Sequence, residues 1–197
     1  MHAVLSDEEL VAATQGGDTA AFDTLVRRWD KKIQGAIYRV MGSDEEAREL
    51  SQEAFFKAYR ALDGFERRAR FSSWLYQIAI NLCRDRMRRR KTHRLLSLED
   101  LPQPESAGRL VVSERSVADA VEERDLARLV AEAVASLPEE QREVIVLKEY
   151  EELTFAEIAE VLGLPVSTVK TRLYRALTQL RRQLERRGVR DAQGRGE

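Results

Sequence analysis

Apolar residues recur at helical spacing through almost the whole chain, and this periodicity limits the possible folds more than any other feature. In the stretch from 19 to 41, for example, Phe22, Leu25, Trp29 and Ile33 fall on one face of a helix. Alternating apolar and polar residues bounded by Asn-Gly or Gly-Asn turns, which predict β-hairpins, do not occur. The sequence therefore predicts an all-α protein.

Capping boxes support this prediction at the level of single helices. In three places a Ser or Thr is followed three residues later by glutamate: Ser6 with Glu9, Ser43 with Glu46, and Thr154 with Glu157. Such a pair satisfies two backbone N–H groups that a helix start leaves unpaired. Periodicity and caps together predict helices over 6–15, 19–41, 44–62 and 72–91 in the first part of the chain.

The pattern fades after Thr92, where Pro102 and Pro104 mark an irregular stretch, and resumes near Val117. We therefore expect two small helical domains joined by a flexible linker, each folding independently. The predicted divisions are residues 1–91 for the first domain, 92–122 for the linker, 123–187 for the second domain and 188–197 for a disordered tail.

The formal net charge of −1 hides strong segregation of charge along the chain. Residues 84–94 hold seven Arg or Lys and one acid, and residues 170–190 hold eight and one, whereas residues 43–53 hold five acids and one base. Blocks of one sign are typical of surfaces that bind charged partners. Two basic segments indicate nucleic acid as one such partner.

Several classes of protein are excluded by what the sequence lacks. One cysteine and two histidines provide neither a disulfide nor a zinc ligand set, and we expect Cys83 to be a small packed residue. No phosphate-binding GxxxxGK and no catalytic triad residues in a usable arrangement occur, so we expect neither a cofactor nor an enzyme. Because no signal peptide and no 18-residue apolar stretch occurs, we expect a cytoplasmic protein without membrane insertion.

The strongest local motif is a C-terminal helix-turn-helix. Thr154 caps a short helix over 155–162, the turn Gly163-Leu164-Pro165 interrupts it, and a second helix is predicted from about Ser167. Gly163 can adopt the left-handed conformation that this turn requires. Small or apolar residues also occupy the expected positions, which are Ile158, Ala159, Leu162, Leu164 and Val169.

The second helix of this motif has two distinct faces. Its apolar face consists of Val169, Leu173, Ala176, Leu177, Leu180 and Leu184, and its polar face of Thr171, Tyr174, Arg175, Thr178 and Arg182, with Lys170 and Arg172 on the flanks. Such a polar face can be simply a solvated surface. The near absence of acids instead favours phosphate and base contacts in the DNA major groove.

A second cationic helix is predicted in the first domain. Trp74, Asn81 and Arg88 recur every seven residues and so share a face, with Arg84 beside them. A loop containing Arg67, Arg68 and Arg70 precedes the helix. Taken singly, Trp74 is more typical of a core and Asn81 of a plain surface. Together with the cations they favour a track for unpaired bases and phosphates.

These motifs resemble those of bacterial RNA polymerase sigma factors of the extracytoplasmic-function class, which contain only conserved regions 2 and 4. The region 2 likeness lies in Gln52-Glu53-Ala54-Phe55, Lys57-Ala58-Tyr59, and Phe71 to Asn81. The region 4 likeness lies in Leu137-Pro138, Arg142, Val144, Leu147, Glu157-Ile158-Ala159, Thr168 to Leu173, and Arg175-Ala176.

The resemblance implies a non-enzymatic subunit that directs core RNA polymerase to a subset of promoters, in many relatives under stress. It implies contacts of Lys170, Thr171, Arg172, Tyr174 and Arg175 with the minus-thirty-five element. It implies contacts of Arg67, Arg68, Arg70, Trp74, Asn81, Arg84 and Arg88 with the minus-ten element. Glu49, Gln52 and Glu53 match positions that bind the clamp helices of the polymerase beta-prime subunit. The implied partners are promoter DNA, core polymerase including its beta flap, and an anti-sigma factor.

Some positions depart from the family pattern. Glu49 and Ser51 replace the more usual Asp and Val, Glu152 replaces Gly, and Ser167 replaces a frequent Gly. These differences affect expected details of contact rather than the assignment.

Other classes of protein explain less of the sequence. A dimeric helix-turn-helix repressor or response regulator accounts for the second domain but not for the cationic helix of the first. A nucleic-acid enzyme lacks catalytic residues, and an interaction module without a DNA role leaves both cationic helices unexplained.

Overall fold

A computed structural model describes residues 5–65, 70–96, 117–187 and 189 of the chain. In these ranges the backbone forms helices and turns, and no strand occurs among them. The predicted all-α fold is confirmed. The predicted tail lies outside the described residues except for Val189, whose backbone N–H donates to Leu184 O at 3.0 Å.

The first part of the chain forms four α-helices, here called the N-terminal unit. They are α1 (Asp7–Gln15), α2 (Thr19–Met41), α3 (Asp44–Ala61) and α4 (Phe71–Leu96), with a 3₁₀ turn (Leu62–Gly64) after α3. The helices predicted over 6–15, 19–41 and 44–62 agree with α1–α3 within one residue.

The second part forms four more α-helices, here called the C-terminal unit. They are α5 (Val117–Ala135), α6 (Glu139–Ile145), α7 (Phe155–Leu162) and α8 (Val166–Arg186). Helix α6 continues directly into a π-helical turn (Val146–Tyr150).

The predicted linker is too long at both ends. Helix α4 continues to Leu96 rather than ending at residue 91, and α5 begins at Val117 rather than after residue 122. Neither Gly nor Pro follows position 91 until Pro102, so nothing in the local sequence interrupts α4 there. Residues 97–116 lie outside the described part of the chain.

Two of the three predicted capping boxes are complete. The side chains of Ser6 and Thr154 accept from the backbone N–H of Glu9 and Glu157, and both glutamates bond back to the cap residue. Ser43 caps α3 in the same way. The carboxylate of Glu46, however, pairs with Arg86 at 3.4 Å and Arg90 at 2.7 Å of α4.

Each unit is built by packing of neighbouring helices along their apolar faces. Helix α2 packs on α1 and α3, and α4 packs on α3, whereas α8 packs on α5, α6 and α7. Leu25, Ile33 and Ile37 of the predicted α2 face are fully buried, and Val26 and Trp29 are partly buried against the same core.

The two units are in contact with each other. Helix α4 packs against α7, and α2 contacts α5, α6 and the π-helical turn. As a result, buried apolar residues of both units form one continuous cluster, from Leu10 in α1 to Ala176 in α8. Contacts between segments so distant in sequence are not encoded in local periodicity.

Candidate nucleic-acid and polymerase interface

The helix-turn-helix has the predicted geometry. Gly163 ends α7 in the left-handed conformation, with φ of 65°, and no Cβ could be placed there without backbone strain. The backbone N–H of Leu164 returns to Ala159 O at 3.0 Å, and Pro165 precedes α8. The turn therefore fixes the direction in which α8 leaves α7.

The polar face of α8 is open to solvent. Lys170, Thr171, Tyr174 and Arg175 are all exposed, and Tyr174 retains 67% of its surface. Tyr174 and Arg175 line a shallow depression of about 470 Å³ that continues to Arg182. On the opposite face Val169, Leu173 and Ala176 are buried, although Leu177 is 41% exposed, contrary to the predicted apolar face.

Arg172 occupies a different position from the other four predicted residues. Its Nη2 lies 2.8 Å from a carboxylate oxygen of Glu140 in α6, and only 20% of its side chain is exposed. The guanidinium lies at the edge of the packed face of α8 rather than opposite it. Its ion pair with Glu140 therefore links α8 to α6.

The cationic face of α4 is divided between solvent and protein contacts. Asn81 and Arg88 are exposed on the shared face that their spacing predicts, and Arg88 pairs with Asp85 at 3.4 Å one turn away. Arg67 and Arg68 lie outside the described residues. Arg70 is exposed and lies 3.1 Å from Glu157 of α7.

Trp74 does not face outward as predicted. Its ring centroid lies 4.8 Å from that of Phe65 and 6.0 Å from that of Phe71, and the side chain is partly buried against the core. The indole packs against the rings of Phe65 and Phe71, since buried ring contacts stabilise it more than exposure to water does. Trp74 shapes the start of α4.

Arg84 is engaged by the C-terminal unit. Its Nε donates to Glu143 Oε1 at 2.8 Å and its Nη2 donates to Oε2 at 2.7 Å, which is a bidentate ion pair. The Glu143 side chain is only 3% exposed. The hydrogen bonds that Arg84 donates to this carboxylate raise the pKa of Arg84, so the guanidinium stays charged.

Further polar contacts join the units around this pair. Arg142 Nη1 donates to Val40 O at 2.7 Å, and the Tyr76 hydroxyl donates to the carboxylate of Glu151. Burial raises the pKa of both Tyr76 and Glu151. Arg39 stacks on the Tyr150 ring, 4.4 Å from its centroid.

Cys83 lies beside Arg84 and is completely buried. Burial, followed by the negative charge of Glu143, raises the pKa of its thiol to about 12. The thiolate, the reactive form, is therefore scarce at neutral pH. The prediction that Cys83 is a packed residue is consistent with this environment.

Glu49, Gln52 and Glu53 form an exposed ridge on α3. Glu49 pairs with Arg86 at 3.1 Å and Glu53 with Lys57 at 3.1 Å, both at the surface. Sequence reasoning missed two aromatic residues beside this ridge, Phe56 and Tyr59, which are 61% and 46% exposed. Their helical spacing from Gln52 was the available signal.

Two departures from the family pattern can be located in the structure. Glu152, where Gly is more usual, has φ of 56°, the left-handed value that favours glycine. Ser51, where Val is more usual, is buried and donates to Asp30 at 3.4 Å.

Two absences apply to the described residues. No group of three or more His, Cys, Asp or Glu side chains is placed to hold a metal ion in that part of the chain. No helix in the same part is long and apolar enough to span a membrane.

Comparison with known protein families matches both units. Sigma-70 region 2 matches residues 25–93, and Sigma-70 region 4 matches residues 127–180. The chain is 39% identical to the ECF RNA polymerase sigma factor SigW of Bacillus subtilis over 170 residues, covering 85% of this chain and 91% of that protein. It is 34% identical to the ECF RNA polymerase sigma-E factor of Escherichia coli over 174 residues, covering 87% and 91%.

Solved structures show the same architecture. CnrH in complex with the cytosolic domain of CnrY is 29% identical, with a TM-score of 0.67 over 91% of this chain and 97% of that one. The sigma factor RpoE of Bartonella quintana, in complex with the anti-sigma factor NepR, shares the fold with a TM-score of 0.69 at 21% identity, over 83% and 96%.

The chain belongs to the sigma-70 family, in its extracytoplasmic-function class. It is a promoter-specificity subunit of bacterial RNA polymerase that binds DNA and acts in transcription initiation.

Proposed function

We propose that this sigma factor recognises its promoters through two separate surfaces and binds core polymerase through a third. The exposed face of α8, with Lys170, Thr171, Tyr174 and Arg175, contacts the minus-thirty-five element. The single observation that carries the proposal is this face: two cations, a hydroxyl and a protruding tyrosine on consecutive turns of a helix that follows a helix-turn-helix bend.

The minus-ten element is assigned to the start and outer face of α4. Asn81 and Arg88 are exposed there, and Arg70 and Arg84 add cations beside them. An amide and guanidinium groups along one helix suit a single strand whose bases have left the stack. We keep Trp74 in this proposal as a positioning residue for the helix start, and Arg67 and Arg68 as phosphate contacts.

The ridge of Glu49, Gln52 and Glu53 on α3 is proposed to bind the clamp helices of the beta-prime subunit. Phe56 and Tyr59 extend it with exposed apolar area of the kind that forms the centre of protein interfaces. The C-terminal unit is proposed to contact the beta flap.

Four further aspects of the proposal concern the setting. We infer that the protein works in the cytoplasm with the polymerase and catalyses no reaction of its own. CnrH is bound by the cytosolic domain of CnrY, and RpoE of Bartonella quintana is bound by the anti-sigma factor NepR; on this basis we propose an anti-sigma factor for this chain. We also propose that the chain acts in a response to stress.

Reconstituted transcription tests the proposal. Purified chain added to bacterial core polymerase is expected to give run-off transcripts from a subset of genomic promoters, and the charge reversals Lys170→Glu with Arg175→Glu are expected to abolish them. The matched control reverses two exposed cations elsewhere in the C-terminal unit, Arg128→Glu with Arg186→Glu, and keeps activity. Equal loss in both variants contradicts the assignment to α8.

Polymerase binding is tested separately on α3. Glu49→Lys with Glu53→Lys is expected to prevent co-elution with core polymerase in gel filtration, whereas Glu45→Lys, an exposed acid in the first turn of the same helix, is not. Unchanged co-elution of the double variant refutes the ridge. Tight, symmetric operator binding by a dimer of the free chain favours the repressor alternative instead.

A further inference from the structure

Arg86 of α4 contacts two carboxylates of α3 that lie one helical turn apart. Its Nη1 and Nη2 both donate to Oε2 of Glu49, at 3.1 Å each, and its Nη1 also donates to Oε1 of Glu46 at 3.4 Å. Glu46 is buried, whereas the side chain of Glu49 is 55% exposed. The guanidinium therefore connects the packed contact between α3 and α4 with the α3 ridge at the surface.

Glu46 fixes Arg86 from the buried side. Its other carboxylate oxygen, Oε2, lies 2.7 Å from Nη2 of Arg90, one turn further along α4. Ser43 caps the first turn of α3 and so orders the helix start that carries Glu46. The position of the Arg86 guanidinium is thus set by the packing of two helices, on the side away from Glu49.

The contact leaves Glu49 able to bind a further cation. Both hydrogen bonds from Arg86 end on Oε2, and a carboxylate can accept on each of its two oxygens. More than half of the Glu49 side chain is exposed. Glu49 is therefore oriented through one oxygen and retains the other for a basic partner.

An oriented carboxylate binds a partner at a lower entropic cost than a mobile one. An exposed glutamate loses side-chain freedom when a partner immobilises it, and ordering before binding removes part of this cost. Glu49 has one rotatable bond more than the Asp that is usual at this position, so it has more freedom to lose. Arg86 restricts this additional freedom in the free chain.

The charge of Arg86 alone has the opposite effect on binding. A cation beside an acidic ridge lowers the negative potential that a basic partner meets, so removal of its charge strengthens binding. Orientation and charge therefore predict changes in affinity of opposite sign, and one measurement separates them.

We infer that Arg86 is a positioning residue for polymerase binding, which holds Glu49 in the orientation that the clamp helices meet. The contact with Glu46 anchors the guanidinium, and its two Nη atoms hold Oε2 of Glu49. This inference rests on the proposed binding of the α3 ridge to the clamp helices. Arg86 thereby gives α4 a part in polymerase binding that is separate from its proposed contacts with DNA.

The test measures binding of core polymerase to the full-length chain in the absence of DNA. The chain carries fluorescein at its N-terminus, and fluorescence anisotropy follows the titration. Arg86→Met is expected to weaken binding about fivefold, the effect of returning one long side chain to free rotation. The matched control is Arg90→Met, which removes an arginine of the same helix whose ion pair is with Glu46, and it is expected to bind like wild type.

The other outcomes of this titration overturn the inference. Tighter binding of Arg86→Met shows that its charge outweighs its orienting contact. Equal weakening by Arg86→Met and Arg90→Met shows a general loss at the contact between α3 and α4. Unchanged binding of Arg86→Met shows that the orientation of Glu49 is immaterial.

Glu49→Asp supplies a readout that a purely structural role of Arg86 does not change. Aspartate is one methylene group shorter, so its carboxylate ends short of the Arg86 guanidinium. In the Glu49→Asp background, Arg86→Met is therefore expected to change the affinity for core polymerase by less than about twofold. A loss of the same size in both backgrounds shows that Arg86 acts through folding alone and overturns the inference.

A second substitution replaces Arg86→Met if that variant fails to fold. Arg86→Lys keeps the charge but donates from a single nitrogen, so we expect weaker binding than wild type, by a smaller factor than for Arg86→Met. Tighter or unchanged binding overturns the inference.

The reversal Glu49→Lys with Glu53→Lys distinguishes this inference from the proposed function. If the reversal prevents polymerase binding while substitutions of Arg86 have no effect, the ridge stands and only the positioning role fails. If the reversal leaves binding unchanged, the ridge and the positioning role both fail.

Discussion

Helices α4 and α8 carry comparable densities of positive charge, yet the structure uses the two sets differently. On α8, Tyr174 and Arg175 extend into solvent. On α4, Arg84 holds a carboxylate that is almost completely buried. A cationic helical face is thus a property of the sequence, whereas its availability to a ligand is a property of the packing.

The difference follows from how many sides of each helix are covered. Helix α8 packs along one side on α5, α6 and α7, which leaves the opposite side free. Helix α4 packs on α2 and α3 and also on α7 of the other unit. Up to Met87, only Asn81 and Asp85 of α4 are exposed, whereas residues 88–93, beyond most of these contacts, are all exposed.

The largest expected effect on stability is at Arg84, where substitution tests whether cations of α4 differ in their contacts. Arg84→Ala leaves Glu143 buried without its partner, and we expect a loss of about 2–3 kcal/mol in the free energy of unfolding, less than for a fully buried pair because Arg84 is partly exposed. Arg88→Ala removes an exposed cation and is expected to cost about 0.5 kcal/mol or less. Urea denaturation measures both, and equal losses would show that the two arginines are equivalent.

On α8 the expected effect is on DNA affinity rather than stability. If Arg175 reads a base, Arg175→Ala lowers the affinity of the holoenzyme for its preferred promoter by about 1–3 kcal/mol and lowers it less for a promoter with a mutated upstream element. The unfolding free energy is expected to stay unchanged. Equal losses on both promoters would show that Arg175 contacts phosphate only.

A smaller effect on stability is expected in α7, the helix that packs against both α4 and α8. Thr154→Ala removes the cap of α7 and is expected to cost about 1 kcal/mol of stability. Thr178→Ala is the control and is expected to change little, because the Thr178 hydroxyl donates to Tyr174 O in the preceding turn of α8 and caps no helix. A thermal shift of equal size in both would contradict the role of the cap.

This cap also has a pH dependence with a defined sign. Hydrogen bonds from Thr154 lower the pKa of Glu157 below its ordinary value of 4.5. A lowered carboxyl pKa in the folded state contributes stability at neutral pH that disappears as the pH falls through the folded-state pKa. Acidification from neutral pH to below 4.5 should therefore lower the free energy of unfolding less in Thr154→Ala than in wild type. Urea denaturation at each pH measures this difference.

The smallest expected effect is a gain. Glu152→Gly removes the steric strain of a side chain in the left-handed backbone conformation. The greater conformational entropy of glycine in the unfolded chain offsets part of this gain in stability. We expect about 0.5 kcal/mol of added stability by urea denaturation. A loss would show that the Glu152 side chain stabilises the contact between the units.

Much of the fold could be predicted because it depends on neighbours in sequence. The caps at Ser6 and Thr154 involve residues three positions apart, and the turn at Gly163 depends on the conformational freedom of one residue. The free face of α8 follows from 100° of rotation per residue. The inward turn of Trp74 could not be predicted in this way, since it depends on Phe65 as well as Phe71.

The sequence by itself therefore determined the helices, their ends, the helix-turn-helix and the positions of positive charge. Only the tertiary structure decided that Arg84 meets Glu143, which lies 59 positions away, and that the two units share one core. The physical reason is that a helical face records which residues are polar or apolar, but not which distant surface will cover it. That choice depends on packing and charge complementarity between whole units.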